Sequence, residues 1–174
     1  MHDVKALIAL NKTLEVAAAR FTSAVVCPLV QGLALLPITE ALTQELAGAH
    51  PELAHASPPL VESMAPGVAA LAAQLSEGGP VAFISTEIFG GTGGQDALVW
   101  EGAEIVFALS DNEDKMLAWP NTPISQALRA IGVQADDGKD EFDTVGLGTH
   151  RSTNGWAKAH APTKSPNPAT TRRL

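Results

Sequence analysis

Three apolar runs of strand length lie close together in the middle of the chain, and they constrain the fold more than any other feature. They read PVAFISTEIF, QDALVW and AEIVFALS, and they are separated by a glycine-rich stretch and by the dipeptide EG. Strands with such short connections pair with their chain neighbours in antiparallel orientation. The first run is apolar or small at successive positions, which is typical of a strand buried on both faces. The sequence therefore predicts an antiparallel meander at the centre of the fold.

Helical segments precede and follow this meander in the chain. Thr39 is the predicted N-cap of one helix, and Thr122 is the predicted N-cap of another that has Pro123 at its first position. The longer segment PPLVESMAPGVAALAAQLSEGG is also helical in pattern, with an expected break near Pro66. The runs VKALIAL and QGLALLPIT have the length of further strands. We therefore expect an α+β fold in which helices pack on one face of an antiparallel β-sheet that contains the central meander.

The distribution of charge divides the chain into two parts. The net charge is −8, but the five bases from His150 onward have no acid among them. All nineteen acids lie in the first 149 residues, which hold six bases and carry a net charge of −13. We expect a single α+β domain over residues 1–156 and a basic, proline-containing C-terminal tail over residues 157–174. An acidic body repels nucleic-acid phosphates and attracts a basic protein partner, so no nucleic acid is expected on it.

A single cysteine, Cys27, limits the sulfur chemistry of the chain. It can form neither an internal disulfide nor a cysteine zinc cluster, and its apolar neighbours in SAVVCPLV favour a buried thiol. The start of the chain lacks the basic region and cleavage site of a signal peptide. The longest apolar stretch, residues 24–38, contains two prolines and is too short to cross a bilayer. We therefore expect a cytoplasmic protein without a membrane segment.

The glycine-rich stretch FGGTGGQ fits neither of the common nucleotide-binding motifs. A Walker loop needs a lysine after its last glycine, and a Rossmann turn leads into a helix, whereas this stretch leads into a strand. A hairpin or bulge is the favoured interpretation, and a loop that contacts a ligand is the alternative. The sequence also lacks the HExxH motif of zinc proteases and the GxSxG motif of serine hydrolases. We predict no catalytic residue, no metal site and no cofactor.

Two segments offer polar side chains beyond those that packing requires. One is the glycine-rich stretch with its neighbouring acids, and the other is the acidic segment VQADDGKDEFDTVGLG with the histidine and arginine that follow it. For the acids of the second segment, a solvated turn is the favoured interpretation, and a calcium or magnesium site and a patch for a basic partner are the alternatives. For His150 and Arg151, a structural salt bridge to the preceding carboxylates is favoured over a catalytic base beside an anion clamp. The candidate partner-binding residues are Glu87, Gly90, Gly91, Thr92, Gly93, Gly94, Gln95, Asp96, Glu101, Asp136, Asp137, Asp140, Glu141, Asp143, His150 and Arg151.

Four stretches together carry a likeness to known proteins. They are GLALLPIT, PVAFISTEIFGGTGGQDALVW, PISQALRAIGV and DEFDTVGLGTHRSTNGW. This combination resembles a group of small bacterial cytoplasmic proteins of toxin-immunity type, mainly over residues 80–156. The resemblance implies a compact bacterial protein that neutralises a toxin by binding it, and it implies no catalytic residue.

Three functions remain open on these observations. The first is a small acidic protein-binding module, of the immunity type, that occludes the basic active site of a toxin. The second is a small-ligand-binding domain or small enzyme with a pocket at the glycine-rich hairpin, which requires Glu87 and His150 to converge in space. The third is a structural or oligomer-forming subunit, in which the apolar helical face of residues 68–75 is left exposed.

Overall fold

The computed structural model describes residues 1–52, 61–112 and 117–162. Its centre is a six-stranded sheet with the strand order β2-β3-β1-β4-β5-β6, in which all neighbours are antiparallel. The α+β fold and the central meander, which is formed by β4, β5 and β6, are thus confirmed. The strands are β1 (His2–Leu10), β2 (Cys27–Pro28), β3 (Leu33–Pro37), β4 (Val81–Phe89), β5 (Thr92–Glu101) and β6 (Glu104–Asp111).

Six α-helices accompany the sheet in the described part of the chain. The predicted caps are confirmed, because Thr39 accepts a hydrogen bond from the Leu42 amide and Thr122 accepts one from the Ser125 amide. The long helical segment begins as a helix at Pro66, while residues 53–60 lie outside the described residues. The helices are α1 (Asn11–Arg20), α2 (Glu40–Ala49), α3 (Pro66–Leu75), α4 (Pro123–Ala130), α5 (Glu141–Thr144) and α6 (Thr153–His160).

The helices cover both faces of the sheet, so the expectation that they pack on one face is wrong. Helices α1 to α3 enclose one core with Leu7 and Phe83, and helices α4 and α6 enclose the other with Ile8 and Ile84. The physical reason lies in strands β1 and β4, which are apolar at successive positions. Neighbouring residues on a strand point to opposite faces, so each face of these strands needs its own apolar cover.

The glycine-rich stretch forms the hairpin between β4 and β5. Gly90 and Gly91 are its two turn residues, and their φ angles of 60° and 86° are those that this type of tight hairpin turn requires. Gly93 and Gly94 already belong to β5 and pair with the end of β4. The hairpin interpretation is therefore confirmed, and half of the glycines lie in a strand and not in a loop.

The C-terminal segment returns to the N-terminal strand before it leaves the described region. Trp156 is buried in the α4–α6 core, and α6 continues past it to His160. Residues 163–174, which hold most of the predicted basic tail, lie outside the described residues. None of the helices in the described part of the chain has the length and hydropathy needed to cross a membrane.

Candidate functional site

A row of polar residues crosses the sheet on the face that α1, α2 and α3 partly cover. In the strand register, Lys5 pairs with Ser85, Ser85 pairs with Asp96, and Asp96 pairs with Ser110. The next row on the same face is apolar and consists of Leu7, Phe83, Leu98 and Ala108. This face of the sheet therefore changes from apolar core to polar surface within one step along the strands.

Lys5, Asp96 and Ser110 of this row line a cleft of about 630 Å³, which we call the polar cleft. An apolar groove of about 500 Å³ adjoins it, shares Lys5, Glu62 and Ser63 with it, and runs over Met64 and Phe83. The lining of the polar cleft consists of Lys5, Val61, Glu62, Ser63, Glu87, Asp96, Ser110 and Asn112.

Asp96 is the most unusual side chain in the polar cleft. It is 9% exposed, and its Oδ2 accepts a hydrogen bond of 2.6 Å from the Ser63 hydroxyl. Its Oδ1 is buried and has no hydrogen-bond donor among the described residues. A buried acceptor without a donor costs about 1–3 kcal/mol, and more when it is charged. Within the described part of the chain, Oδ1 of Asp96 therefore lacks the donor that would offset its burial.

The electrostatic balance of the polar cleft is negative. Its lining contains the carboxylates of Glu62, Glu87 and Asp96 and the single ammonium group of Lys5. The Ser63 hydroxyl gives its one proton to Asp96, so its oxygen remains an acceptor toward the cleft. Such a set of acceptors suits a group that only donates hydrogen bonds, which is the property of an ammonium or a guanidinium ion.

The glycines of β5 shape the edge of this cleft. A Cβ atom on Gly94 would lie 1.8 Å from Oδ1 of Asn112, and a Cβ atom on Gly93 would lie 1.8 Å from the Glu87 carbonyl oxygen. A larger residue at either position would therefore displace a cleft residue or its backbone. The missing side chains of Gly93 and Gly94 thus allow the close approach of neighbouring chain segments that forms this edge of the cleft.

Several acids of the segment 136–143 form contacts within the fold. Glu141 is 3% exposed and accepts hydrogen bonds from the indole N–H of Trp119 at 2.9 Å and from Nε of Arg129 at 2.8 Å. Burial raises the pKa of Glu141, but the Trp119 bond, a backbone amide bond and the Arg129 charge together outweigh it and hold the pKa below its ordinary value. Asp140 caps α5 through the Asp143 amide, and Asp136 pairs with Lys139 at 3.4 Å.

Asp136, Asp137 and Asp143 are the exposed acids of this segment, and Asp143 contributes only its backbone amide to the α5 cap. None of the acids between 136 and 143 lines the polar cleft, whose lining comes from β1, β4, β5, β6 and the residues before α3. In the described ranges, no three His, Cys, Asp or Glu side chains are grouped so as to hold a metal ion.

His150 and Arg151 lie at the end of the sheet that carries the glycine hairpin. The Asp3 amide donates to the Arg151 carbonyl at 2.8 Å, and the His150 ring packs edge-on against Trp156 at 4.8 Å. Neither side chain forms an ion pair with the acids of the described residues, so the expected salt bridge is not found there. Asp3 pairs with Glu87 on one side and bridges to Ser152 on the other, but His150 is not part of the cleft lining.

The remaining candidates surround the hairpin without forming a site of their own. Thr92 donates to the Phe89 carbonyl across the turn, and Gln95 accepts a hydrogen bond of 3.4 Å from the Ile124 amide on the opposite side of the sheet. Glu101 is exposed at the turn between β5 and β6. Of all the candidate residues, Glu87 and Asp96 are the two that line the polar cleft.

Sequence reasoning missed the other polar members of the cleft, which are Lys5, Glu62, Ser63, Ser110 and Asn112. One signal was available at Lys5, because it shares the period-two face of β1 with the buried Leu7 and Ala9. Charged residues are rarely buried without a partner, so a lysine at a position that faces the core indicates polar neighbours at that end of the strand. The others come together only through the pairing of β5 with β6 and through the turn that precedes α3.

Comparisons of the chain with protein-family models, with curated proteins and with solved structures give no match. The chemistry of the polar cleft is therefore the basis on which function is inferred.

Proposed function

We propose that this chain is a cytoplasmic protein-binding module that takes a positively charged side chain of a basic partner protein into the polar cleft. The observation that carries the proposal is the buried, unpartnered Oδ1 of Asp96. An arginine or lysine side chain of a partner would supply the missing donor. The adjoining carboxylates of Glu62 and Glu87 favour the same charge.

Coulomb attraction and a hydrogen bond would both stabilise the partner's cation in the cleft. A unit charge at about 4 Å from a carboxylate near a protein surface gains roughly 4 kcal/mol of Coulomb energy before desolvation is subtracted. A hydrogen bond to a charged group contributes a net of about 1.5–3 kcal/mol. The long-range part of the attraction comes from the acidic body, and it acts on the association rate.

A toxin with a basic active site is one partner of this description, and the resemblance to immunity proteins favours it. Occlusion would then be the mechanism, because a protein seated over the cleft also covers the partner's surface around the inserted side chain. The cleft, and not the 136–143 segment, is the central contact in this proposal, since Glu141 and Asp140 are already engaged within the chain.

A small cationic molecule is the second candidate ligand. The cleft of about 630 Å³ has the size of a small-molecule site, and the adjoining apolar groove would accept an apolar portion of such a ligand. For the oligomer-forming alternative, the expected exposed face is not found on α3, because Val68, Leu71, Ala72 and Leu75 are buried in the core.

The test is a pull-down from a lysate of the source cells with three tagged full-length chains at low and moderate salt. They are the wild type, Asp96→Asn and the matched control Asp137→Asn, which removes an exposed carboxylate outside the cleft. We expect one basic protein to be retained by the wild type and the control, to be released by salt, and to be depleted at least tenfold by Asp96→Asn. Equal retention by all three chains contradicts the proposal. Native mass spectrometry of the purified wild type detects the second candidate as a bound small cation.

A further inference from the structure

The outer edge of the sheet at β6 is open next to the polar cleft. Strand β6 is last in the sheet order, and no other described strand pairs with its outer edge. Residues 107–111 pair in regular register with residues 95–99 of β5, whereas Val106 is the extra residue of a bulge. Ile105 is 40% exposed and Val106 is 56% exposed.

Between its acidic ends, Glu104 and Asp111, this edge carries none of the protective side chains that oppose pairing with another chain. Natural edge strands are blunted by charged side chains, by prolines, by bulges or by a covering element. Residues 105–110 contain neither a charged residue nor a proline, and the bulge affects only the beginning of the strand. At the other end of the sheet, β2 is two residues long, so the two edges are not equivalent.

The open edge is continuous with the polar cleft. Ser110 of β6 lines the cleft and pairs directly with Asp96. Neighbouring strands lie about 4.8 Å apart, so a residue opposite Ser110 on an added strand is about 10 Å from Asp96. An extended arginine or lysine side chain bridges that distance.

We propose that β6 binds an extended, basic segment of the partner protein by strand addition, which places one basic side chain of that segment on Asp96. This inference rests on the proposed function, because it uses the same cleft and the same charge. Main-chain hydrogen bonds supply affinity in this mode, and the pocket beside the edge supplies specificity.

Charge favours a basic segment over a second copy of the chain as the occupant. The edge has the exposed Glu104, with its exposed β5 partner Glu101, at one end and the acidic cleft at the other. A two-fold antiparallel pairing of β6 with itself about residues 107 and 108 would set Glu104 opposite Asp111 of the other copy. Like charges directly opposite each other on paired strands are destabilising.

The first test uses a capped peptide of about seven residues that alternates arginine with valine, together with a matched peptide in which neutral citrulline replaces arginine. Binding to the full-length chain is measured by calorimetry, and NMR measures the exchange of those amides among residues 107–111 that face the open edge and not β5. We expect the exchange to slow at least tenfold at saturation and the citrulline peptide to bind at least tenfold more weakly. Binding without protection of these amides overturns the strand addition.

A pair of proline variants, Ala108→Pro and Leu109→Pro, provides the second test. Adjacent amides of a strand face opposite sides, so one variant removes a hydrogen bond to β5 and the other removes a donor from the open edge. The edge variant is identified by its unchanged Tm, and we expect it to bind the arginine peptide at least tenfold more weakly than the wild type.

The outcomes separate this inference from the proposed function. Peptide binding that is lost in Asp96→Asn but retained in the edge proline variant contradicts strand addition and leaves the proposed function standing. Equal binding of the arginine and citrulline peptides, with no effect of Asp96→Asn, contradicts the proposed function. A dimer of the free chain with protected β6 amides shows that a second copy occupies the edge, which also overturns the inference.

Discussion

Replacing Asp96 with asparagine is expected to raise the stability of the free protein while it weakens ligand binding. Asparagine keeps one oxygen to accept the hydrogen bond of the Ser63 hydroxyl, whose oxygen lies 2.6 Å from Oδ2 of Asp96 in the wild type. It removes the charge of a side chain that is 9% exposed and has an unpartnered Oδ1. Opposite effects on stability and binding are typical of a group that is held for a ligand and not for the fold.

The size of the stability effect follows from the unpartnered oxygen. A buried polar atom without a partner costs about 1–3 kcal/mol. The amide N–H₂ group that replaces Oδ1 itself needs acceptors in the cleft, so the substitution removes only part of this cost. We therefore expect Asp96→Asn to raise the free energy of unfolding by about 1 kcal/mol, which corresponds to roughly 2–4 °C in Tm for a chain of this size.

The assay is urea and thermal unfolding followed by circular dichroism at neutral pH. The matched control is Asp137→Asn, an exposed carboxylate outside the cleft, for which we expect a change within about 0.5 kcal/mol. A loss of 1 kcal/mol or more in Asp96→Asn would refute the reasoning. It would mean that the Asp96 charge is already satisfied in the free protein, so that the cleft has no vacant acceptor.

Three other substitutions or reactions test separate parts of the structure. Glu141→Gln should cost about 2 kcal/mol at neutral pH, as measured by urea unfolding, because it removes the charge beside Arg129 and leaves one acceptor oxygen for the two donors Arg129 and Trp119. The pKa of Glu141 is lowered in the folded protein, so its contribution to the free energy of unfolding is present above the ordinary carboxyl pKa and is lost as pH falls through the folded value. The wild type should therefore lose more stability than Glu141→Gln below about pH 4. Parallel pH profiles of the two proteins would contradict this. Gly93→Ala should cost about 3 kcal/mol because its Cβ would meet the Glu87 carbonyl, whereas Gly90→Asn should cost less than 1 kcal/mol; similar Tm values for the two variants would contradict the close approach. Burial raises the pKa of Cys27 to about 11, so the native chain at pH 7 should react with a thiol reagent only as fast as it unfolds, and immediate labelling would contradict the burial.

The strands and caps of this protein follow from local sequence signals. The meander was predictable because its runs are apolar and its connections are short. The caps at Thr39 and Thr122 were predictable because side-chain capping depends on residues only three positions away. The second layer of helices was missed, although the successive apolar residues of β1 and β4 indicate burial on both faces.

The candidate site was only partly predictable, because it is assembled by strand pairing. Glu87 and Asp96 were candidates on account of the glycine-rich stretch between them. Lys5 and Ser110 are far from that stretch in the sequence, and only the pairing of β1 with β4 and of β5 with β6 brings them to it. Conversely, Glu141 was chosen for its acidic neighbours, whereas its contacts with Trp119 and Arg129 make it part of the fold.

The most direct test of the central claim is an NMR titration of the full-length chain with N-acetyl-arginine amide, whose only charge is the guanidinium group. We expect saturable amide shifts at Ser63, Asp96 and Ser110, with no such shifts for the neutral N-acetyl-citrulline amide or in Asp96→Asn. Shifts that are absent, that are the same with citrulline, or that persist in Asp96→Asn would contradict the claim that the polar cleft binds a cation.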